Sequence, residues 1–441
     1  MSKPPVSFEG KPEQAPRAHG GARAPEAPPA QKQFGLTLMA QLREGTTDEV
    51  RRLLCEIGAN MKLPAPTPGT ADIRFNTLTT THFCRFVVIP GDPSHACPAS
   101  LAFESNYDGA LDAHLDELIA AGEPALKSLY SLCADWTDPQ DLKAYLEARS
   151  IGNAAFYSSH GGLSQRWIQN DIRVRDAIEG YLLQEQKKPG WPPEPAALRA
   201  GIQEHLKDIP DLFTGPLDRD LPSELGMIKW LFLGVPLLPL VLAALPFLRY
   251  KEVKDRSDPL ERYFPISKLA TLEDQTVQNQ LTHLVPIKPG WLRLQALRLV
   301  LFSINQLAYY VLNKGQLGGI PSIHFARWII IDGGKRLLFF SNYDGSWENY
   351  LGDFIDKAAT GLTGVWSNTV GFPEAKLLLF EGATHEEQFK QWTRAHQIPT
   401  QVWYQAYPSV TVENVLQNDQ IRQQVSGSLT GDALTDWLAK L

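Results

Sequence analysis

Histidine, arginine and aspartate side chains recur at matching positions in the two halves of the 441-residue chain. The recurring residues are His82, Arg85 and Asp108 in the first half, and His324, Arg327 and Asp344 in the second. Each arginine interrupts an apolar stretch, and a buried guanidinium needs a partner because an unpaired buried charge is costly. We expect the aspartate of the same repeat to be that partner, either as an Arg–Asp couple in a pocket or as a structural ion pair. The repetition favours the structural pair, because a single active site rarely needs both copies.

The role of the strand histidines depends on the direction of their side chains. Alternation along a strand puts His82 on the same side as Cys84, and Arg85 on the opposite side. If the first side lines a cavity, His82 or His324 could ligate a metal or move a proton. The simpler alternative is a strand-end histidine that bonds to the backbone. The same two alternatives hold for His283.

His160 precedes a different feature, which is a pair of glycines in front of a predicted helix. Free N–H groups at a helix start can cradle an anion, so His160 with Gly161-Gly162 is a candidate binding site. An ordinary loop is the alternative, because one glycine pair also suits a simple turn.

A duplicated pair of strands positions these side chains. Residues 81–109 contain THFCRFVVIP and then ASLAFESNYDG, and residues 323–345 contain IHFARWIIID and then LLFFSNYDG. The β-branched and aromatic composition is typical of strands, and Gly333-Gly334 can supply the positive φ angles of a hairpin turn. The identical Ser-Asn-Tyr-Asp-Gly ends each predicted hairpin, where we expect Asp108 and Asp344 to cap the next helix.

Helices and further strands flank both hairpins. Apolar residues at i, i+3 and i+4 predict a helix over SWENYLGDFIDKAATGLTGVW, and Pro124 is expected to kink its counterpart in the first half. With a strand and helix before each hairpin and a strand after each of these helices, the order is β-α-β-β-α-β, twice. We predict an α+β fold of two tandem ferredoxin-like (βαββαβ) modules. They pack sheet to sheet as an intrachain α+β barrel, with a membrane-associating apolar segment between them.

This arrangement resembles the dimeric α+β barrel superfamily over residues 34–160 and 277–408. That superfamily includes heme enzymes, among them the dye-decolorizing peroxidases, to which the chain is distantly similar. Their Gly-x-x-Asp-Gly motif matches the two Ser-Asn-Tyr-Asp-Gly segments, with Ser in place of the first Gly. The resemblance implies an aspartate as acid–base group with an arginine nearby, and a histidine as ligand of a heme iron. The candidates are Asp108, Asp344, Arg85, Arg327, His82, His324, His160 and His283.

The predicted organisation of the chain has a module on either side of a central insertion. Its parts are a disordered Pro/Ala-rich tail at 1–32, a first ferredoxin-like module at 33–160, a helical connector at 161–226, an apolar segment at 227–248, a linker at 249–276, a second module at 277–408 and a helical extension at 409–441. The tail lacks the apolar core of a signal peptide and cannot bury enough apolar surface to order itself.

The apolar segment 227–248 carries one charged residue, Lys229, and aromatic residues lie near its edges. Its length could span a hydrocarbon core of about 30 Å. Its three prolines bend or break a helix, however, and a single span would put the two halves on opposite sides of a membrane. We therefore expect a monotopic or re-entrant insertion into lipid on the cytoplasmic side. A true span and a buried core hairpin are the alternatives.

The composition excludes some classes of function. A net charge of −7 without a dense Lys/Arg run argues against a nucleic-acid partner. The cysteines form no CxxC and no metal-type spacing, which indicates free thiols in a reducing compartment. No Walker, GxGxxG, HExxH or GxSxG motif occurs.

Three functional hypotheses remain. The first, which the resemblance favours, is a membrane-associated oxidoreductase that holds heme or another cofactor in the barrel and acts on a small apolar or lipid-derived substrate. The second is a non-catalytic lipid-binding or membrane scaffolding protein. The third is an enzyme without a cofactor that uses Asp or His as acid–base on a small molecule or fatty-acid derivative.

Overall fold

The computed structural model describes residues 30–137, 141–219, 221–234, 236, 238–255 and 262–441. Most of the tail predicted at 1–32 therefore lies outside the described residues, and so does part of the linker predicted at 249–276. The described chain is an α+β structure, in which two four-stranded antiparallel sheets pack with helices. A short two-stranded hairpin lies apart from these two sheets.

Strands and helices alternate in the first half of the chain. In chain order they are β1 (Gln33–Gln41), α1 (Thr47–Met61), β2 (Thr81–Ile89), β3 (Ser100–Asp108), α2 (Leu111–Tyr130), α3 (Leu142–Glu147), β4 (Ala155–Ser158), α4 (Gln165–Glu185) and α5 (Pro195–Lys207). The expected kink in α2 occurs at Gly122, where φ is −168° and ψ is 43°. Pro124 produces this bend because it lacks a helical N–H donor and its ring crowds the preceding turn.

The second half repeats this order after an inserted helical segment. Its elements are α6 (Leu225–Gly234), α7 (Leu238–Val253), α8 (Ile266–Ala270), β5 (Gln278–Pro286), α9 (Trp291–Tyr310), β6 (Ile323–Ile331), β7 (Arg336–Asp344), α10 (Trp347–Trp366), β8 (Ala375–Lys376), β9 (Phe380–Glu381), α11 (Glu386–His396), β10 (Val402–Gln405), α12 (Val412–Val425) and α13 (Gly431–Leu438). Gly333 and Gly334 turn the chain between β6 and β7 with φ angles of 67° and 96°, as the sequence predicts.

Each large sheet is completed by a strand from the other half of the chain. The strand order is β1-β3-β2-β10 in one sheet and β4-β6-β7-β5 in the other. β4 pairs with β6, from Ala155 opposite Trp328 to Ser158 opposite Phe325, and β10 pairs with β2. The expectation that each half holds all four strands of its own sheet is therefore wrong for the fourth strand.

The exchanged strands also join the sheets at their edges. Just before β4, Ile151 N donates to Thr37 O of β1 at 2.8 Å. Just before β10, Ile398 N donates to Thr282 O of β5 at 3.0 Å. Each segment thus starts beside one sheet and continues in the other. This gives the edge strands β1 and β5 hydrogen-bond partners for the Thr37 and Thr282 carbonyl groups, which would otherwise remain unpaired.

One face of each sheet packs on helices, and the other face packs on the opposite sheet. In β2, Cys84 and Phe86 belong to a buried cluster with apolar residues of α1 and α2. The alternate residues Val87 and Ile89 join a second buried cluster, which includes Leu284, Ile329 and Leu338 of the other sheet. The open faces of the two sheets are therefore buried against each other, and removal of this apolar area from water stabilises their contact.

The apolar insertion forms two helices, α6 and α7. No helix among the described residues is long and apolar enough to cross a membrane. α6 lies against α9, where the ring centroids of Trp230 and Phe302 are 5.4 Å apart. α7 lies against the β8–β9 hairpin, where an Arg249 Nη1–H donates to Ala375 O at 3.3 Å. The insertion thus packs on helical and hairpin elements of the second half.

The strand exchange predicts the behaviour of a cleaved chain. A protease site inserted after Gly190, in an exposed turn between α4 and α5, separates β1–β4 from β5–β10 in sequence. We expect the two fragments to elute together from a sizing column in native buffer, because β4 and β10 each lie in the sheet of the other fragment. They should separate only in denaturant. Separate elution in native buffer would contradict the exchange.

Candidate functional site

A repeated β-bulge sets the direction of the two strand histidines. The register of β2 shifts between Thr81 and Phe83, so His82 is an extra residue in its strand, and the same irregularity occurs at His324 in β6. The bulge turns the His82 ring toward the other sheet, 5.2 Å from the ring of Phe325. The prediction that His82 lies on the same side of the strand as Cys84 is therefore wrong, because strict alternation does not allow for an extra residue.

Each strand histidine bonds to the aspartate of its own repeat. His82 Nε2 lies 2.9 Å from Asp108 Oδ1, and His324 Nε2 lies 2.7 Å from Asp344 Oδ1. Both histidine side chains are fully buried. The structure thus brings together His and Asp residues that sequence analysis named separately, and it pairs each Asp with a histidine rather than with the predicted arginine.

The same two aspartates hold the first turns of distant helices. Asp108 Oδ2 accepts from Gln165 N at 2.7 Å, and Asp344 Oδ2 accepts from Val412 N at 2.7 Å. These donors are the first residues of α4 and α12, the helices that follow the exchanged strands. A carboxylate at this point satisfies an unpaired backbone N–H and complements the positive end of the helix dipole.

The prediction that Asp108 and Asp344 cap the next helix is wrong as a result. The N-cap residues of α2 and α10 are Ala110 and Ser346, because Asp108 and Asp344 are still strand residues and their side chains reach α4 and α12 instead. Gly161 and Gly162 lie in a turn before α4, as the loop alternative expects, and the first N–H of α4, that of Gln165, donates to the Asp108 carboxylate. The anion at this helix start is therefore part of the protein.

His160 and Tyr407 complete the buried polar group from equivalent positions. Each lies two residues beyond the end of an exchanged strand. The Tyr407 hydroxyl lies 2.9 Å from His82 Nδ1 and 3.3 Å from His160 Nε2. Sequence analysis missed Tyr407. The signal that could have found it is its position after a strand, which matches that of His160 in the other half.

Burial fixes the protonation state of these two side chains. Burial lowers the pKa of His160 well below its ordinary value, and the neighbouring His82 and His324 lower it further. Burial raises the pKa of Tyr407 well above its ordinary value, and the carboxylates of Asp108 and Asp344 add to this rise. His160 is therefore a neutral imidazole and Tyr407 a neutral phenol near pH 7, and each can donate or accept a hydrogen bond within the group.

A single carboxylate partners both strand arginines between the sheets. Glu104 Oε2 lies 2.7 Å from Arg85 Nε, and Glu104 Oε1 lies 2.5 Å from Arg327 Nη2. All three side chains are at most 1% exposed. The predicted Arg–Asp couples are therefore wrong, because Asp108 and Asp344 lie at the strand ends and bond to histidines. Sequence analysis missed Glu104, although a lone carboxylate in an apolar strand is a signal that could have found it.

The second repeat has Phe340 where the first has Glu104, so two guanidinium groups share one carboxylate. Both groups lie over the Phe340 ring, with Arg85 Cζ at 5.2 Å and Arg327 Cζ at 5.7 Å from its centroid. Desolvation lowers the pKa of both arginines, and the Glu104 carboxylate opposes that shift. A Cβ on Gly35 of β1 would lie 2.7 Å from Arg327 Nη1, so a larger residue there would displace this buried guanidinium.

His283, the remaining predicted ligand, lies in a separate aromatic cluster. Its ring centroid is 5.0 Å from that of Trp366, 4.7 Å from that of Trp392 and 5.9 Å from that of His396. Burial lowers its pKa well below the ordinary value, and His396 lowers it further. Among the described residues, no group of three or more His, Cys, Asp or Glu side chains could hold a metal ion.

The candidate histidines do not fit the ligation of a heme iron. An axial histidine presents a free ring nitrogen to the metal, but both ring nitrogens of His82 and of His160 lie within hydrogen-bond distance of protein groups. His324 Nδ1 and His283 Nε2 have no partner within the described residues. The His324 ring nevertheless packs 5.3 Å from the Phe83 ring, and His283 lies among tryptophans.

Two cavities lie at the surface rather than within this buried group. One, of about 580 Å³, is lined by the end of α7 and the β8–β9 region, including Arg249 and Glu252. The other, of about 520 Å³, is lined in part by Asp274, Asp344 and Asp353. Asp344 borders the second cavity, but its two oxygens already bond to His324 and to the α12 backbone. His283 lines a third cavity, which is only about 20 Å³ in volume.

The Arg–Glu–Arg cluster predicts a large effect of a small change. We expect Glu104→Gln to lower the free energy of unfolding by about 3–5 kcal/mol, because two buried guanidinium groups lose their carboxylate. Urea unfolding at pH 7 measures the loss. The matched control is Glu56→Gln, which breaks the exposed pair with Arg52 and should cost at most about 1 kcal/mol. Equal losses in the two variants would contradict the assigned role of Glu104.

Buried histidines predict a pH-dependent stability. Burial lowers the pKa of His114 to about 4, so between pH 6.5 and 4 the unfolded chain binds a proton that the folded chain does not. Stability from this group is therefore lost as the pH falls, by about 2 kcal/mol between pH 7 and 5. We expect His114→Gln to lose about that much less stability than the unaltered protein over this interval in urea unfolding. The same pH dependence in both proteins would show that His114 is not a buried neutral group.

A comparison of the chain with protein-family models, with curated proteins and with solved structures finds no match in any of the three. The resemblance to the dimeric α+β barrel superfamily therefore rests on the order of the elements and on the internal repeat. What the protein does has to be inferred from two features of the described residues. These are a buried polar group between two sheets and an apolar insertion on the outside.

Proposed function

We propose that this protein attaches to a lipid surface through an exposed apolar patch and acts there as a non-catalytic lipid-binding or scaffolding protein. The patch, called the apolar surface below, consists of large side chains that are each at least 40% exposed. They are Leu225, Ile228, Phe232, Leu242, Phe247, Tyr250 and Val253 of α6 and α7, Trp291, Leu299, Phe302, Leu307 and Tyr309 of α9, and Leu377, Leu379 and Phe380 of the β8–β9 hairpin. This exposed surface is the observation that carries the proposal.

Contacts between the three parts support treating them as one surface. α6 packs on α9 through Trp230 and Phe302. α7 meets the hairpin through Glu252, whose carboxylate oxygens accept from Leu377 N and Leu378 N at 2.9 Å each. An apolar patch to which α6, α7, α9 and the β8–β9 hairpin all contribute differs from the single exposed apolar residues of an ordinary surface, and such patches are typical of membrane or protein contacts.

The lengths of the helices favour an orientation along the lipid surface. α6 has 10 residues and α7 has 16, which correspond to about 15 Å and 24 Å at 1.5 Å per residue. Each is shorter than the hydrocarbon core of about 30 Å. Trp291, Tyr250 and Tyr309 are exposed among the aliphatic residues, and Trp and Tyr are enriched at the boundary between lipid and water. These features suit a monotopic insertion into one leaflet.

The contacts of the predicted catalytic residues support a structural role for them. Asp108 and Asp344 each bond to a histidine and to a helix start, while Arg85 and Arg327 share Glu104. Each of these groups thus links elements of the fold. The oxidoreductase hypothesis has less support, because the histidines that would hold its cofactor bond to the protein or are enclosed by aromatic rings.

We infer that the two halves are related ferredoxin-like modules in one intrachain α+β barrel, with their fourth strands exchanged. The repeated bulge, the repeated His–Asp pair and the packing of the two sheets support this inference. We also infer that the lipid surface is the cytoplasmic side of a membrane. The free thiols of Cys55, Cys84, Cys97 and Cys133 support a reducing compartment.

Vesicle binding tests the proposed function. We expect the protein to sediment with lipid vesicles. The triple variant Leu225→Gln, Phe232→Gln, Phe247→Gln should bind at least about a hundredfold more weakly, because each Leu or Phe side chain that enters lipid contributes about 1.5–3 kcal/mol. The control replaces Leu63, Leu183 and Leu272, which are exposed elsewhere, with Gln and should bind normally. Equal binding by both triple variants would refute the proposal. A Soret band in protein expressed with heme precursor would refute its non-catalytic part.

A further inference from the structure

We propose that Lys229, Lys251 and Lys254 make this attachment selective for anionic phospholipid. The inference rests on the proposed function, because the lysines act only if the apolar surface meets lipid. It adds the class of lipid that the surface recognises.

Two of the lysines extend over exposed rings at the end of α7. Lys251 Nζ lies 5.8 Å from the centroid of Phe247, and Lys254 Nζ lies 4.3 Å from the centroid of Tyr250. Both rings are 56% exposed, so each ammonium group is held beside the apolar surface. A lysine in this position can leave its methylene chain on apolar groups and direct its charge to the phosphates.

The third lysine lies within the exposed stripe of α6. Leu225, Lys229 and Phe232 follow one another at i, i+4 and i+7, which places them on one side of a helix. Leu225 and Phe232 are each 74% exposed, so this side of α6 is open. Lys229 Nζ also lies 5.9 Å from the ring centroid of Trp230. A surface that enters lipid on this side brings the Lys229 ammonium to the level of the head groups.

Several neighbouring cations are already paired with carboxylates, whereas within the described residues these three lysines are not. Arg249 pairs with Glu252 at 2.6 Å, Lys288 pairs with Asp255 at 2.7 Å, and Lys376 pairs with Glu381. Lys229, Lys251 and Lys254 form no ion pair with a carboxylate in the part of the chain that the structure describes. The paired cations are already neutralised, so the three lysines supply net positive charge beside the apolar surface.

This local charge is opposite in sign to that of the whole chain, which carries −7. At physiological salt a charge acts over about 8–10 Å, so groups at the contact decide the interaction and distant carboxylates contribute little. Each basic residue at the surface of an anionic leaflet increases the affinity of a protein for that leaflet about fivefold. Three lysines therefore predict a preference for anionic over neutral vesicles on the order of a hundredfold.

Vesicle sedimentation at physiological salt measures this preference directly. The unaltered protein is tested on vesicles of phosphatidylcholine alone and on vesicles of phosphatidylcholine with about 30% phosphatidylglycerol, which mimic an anionic leaflet. We expect the triple variant Lys229→Gln, Lys251→Gln, Lys254→Gln to bind both vesicles equally. The corresponding Lys→Arg variant should keep the preference, because it keeps the charge.

A matched control removes three charges from other parts of the surface. The variant Lys62→Gln, Lys187→Gln, Lys207→Gln carries the same net charge as the test variant and alters exposed lysines of the first half. It should retain the preference for anionic vesicles. Equal binding of the unaltered protein to both vesicles, or a preference that survives in the test variant, would overturn the inference and leave the proposed function standing. Binding to neither vesicle would instead refute the proposed function.

Discussion

The shared carboxylate of Glu104 is the interaction on which the arrangement of the two sheets depends. It lies between Arg85 of the first sheet and Arg327 of the second, with all three side chains buried. A buried guanidinium without a counter-charge is costly, so the two sheets can meet at this point only in a register that brings both arginines to one carboxylate. Gly35 and Phe340 fit the same requirement, the first by leaving space for Arg327 and the second by offering its ring to both cations.

The repeated Ser-Asn-Tyr-Asp-Gly segments, at the ends of β3 and β7, also help to hold the two sheets together. Each aspartate accepts a hydrogen bond from the helix that follows an exchanged strand and pairs with the histidine turned inward by a bulge. Asp108 therefore ties the first sheet to α4, which follows a strand of the second sheet. Asp344 makes the reciprocal connection to α12. A motif that resembles part of an enzyme site thus acts as a connection between two halves.

Local patterns predicted much of the fold, and non-local pairing decided the rest. Strand composition and helical spacing were sufficient for the hairpins, for the helix from Trp347 and for the kink near Pro124, because each depends on nearby residues. The exchange of β4 and β10 depends on pairing between residues far apart in the sequence, which local patterns do not reveal. The bulges at His82 and His324 are likewise visible only when the partner strand is known.

The sequence predicted most residues of the candidate site but not which of them bond to each other. His82, Asp108, His324 and Asp344 do lie together in pairs, and His160 contacts the first of them. Glu104 and Tyr407 were missed because the repeat, which guided the choice of residues, has different residues at their equivalent positions. The internal repeat therefore identified the residues that the two halves share. Glu104 and Tyr407 lie at positions where the two halves have different residues, so the repeat did not identify them.

The central functional claim is that the outside of α6 and α7 enters lipid. It is tested most directly by a fluorophore sensitive to polarity, attached to Phe232→Cys in a chain whose exposed Cys55 is replaced by Ser. We expect a blue-shifted, brighter emission when vesicles are added, and no change for the same fluorophore on Lys187→Cys. An emission from position 232 that stays as in water, while the protein is bound to vesicles, would show that α6 does not enter lipid.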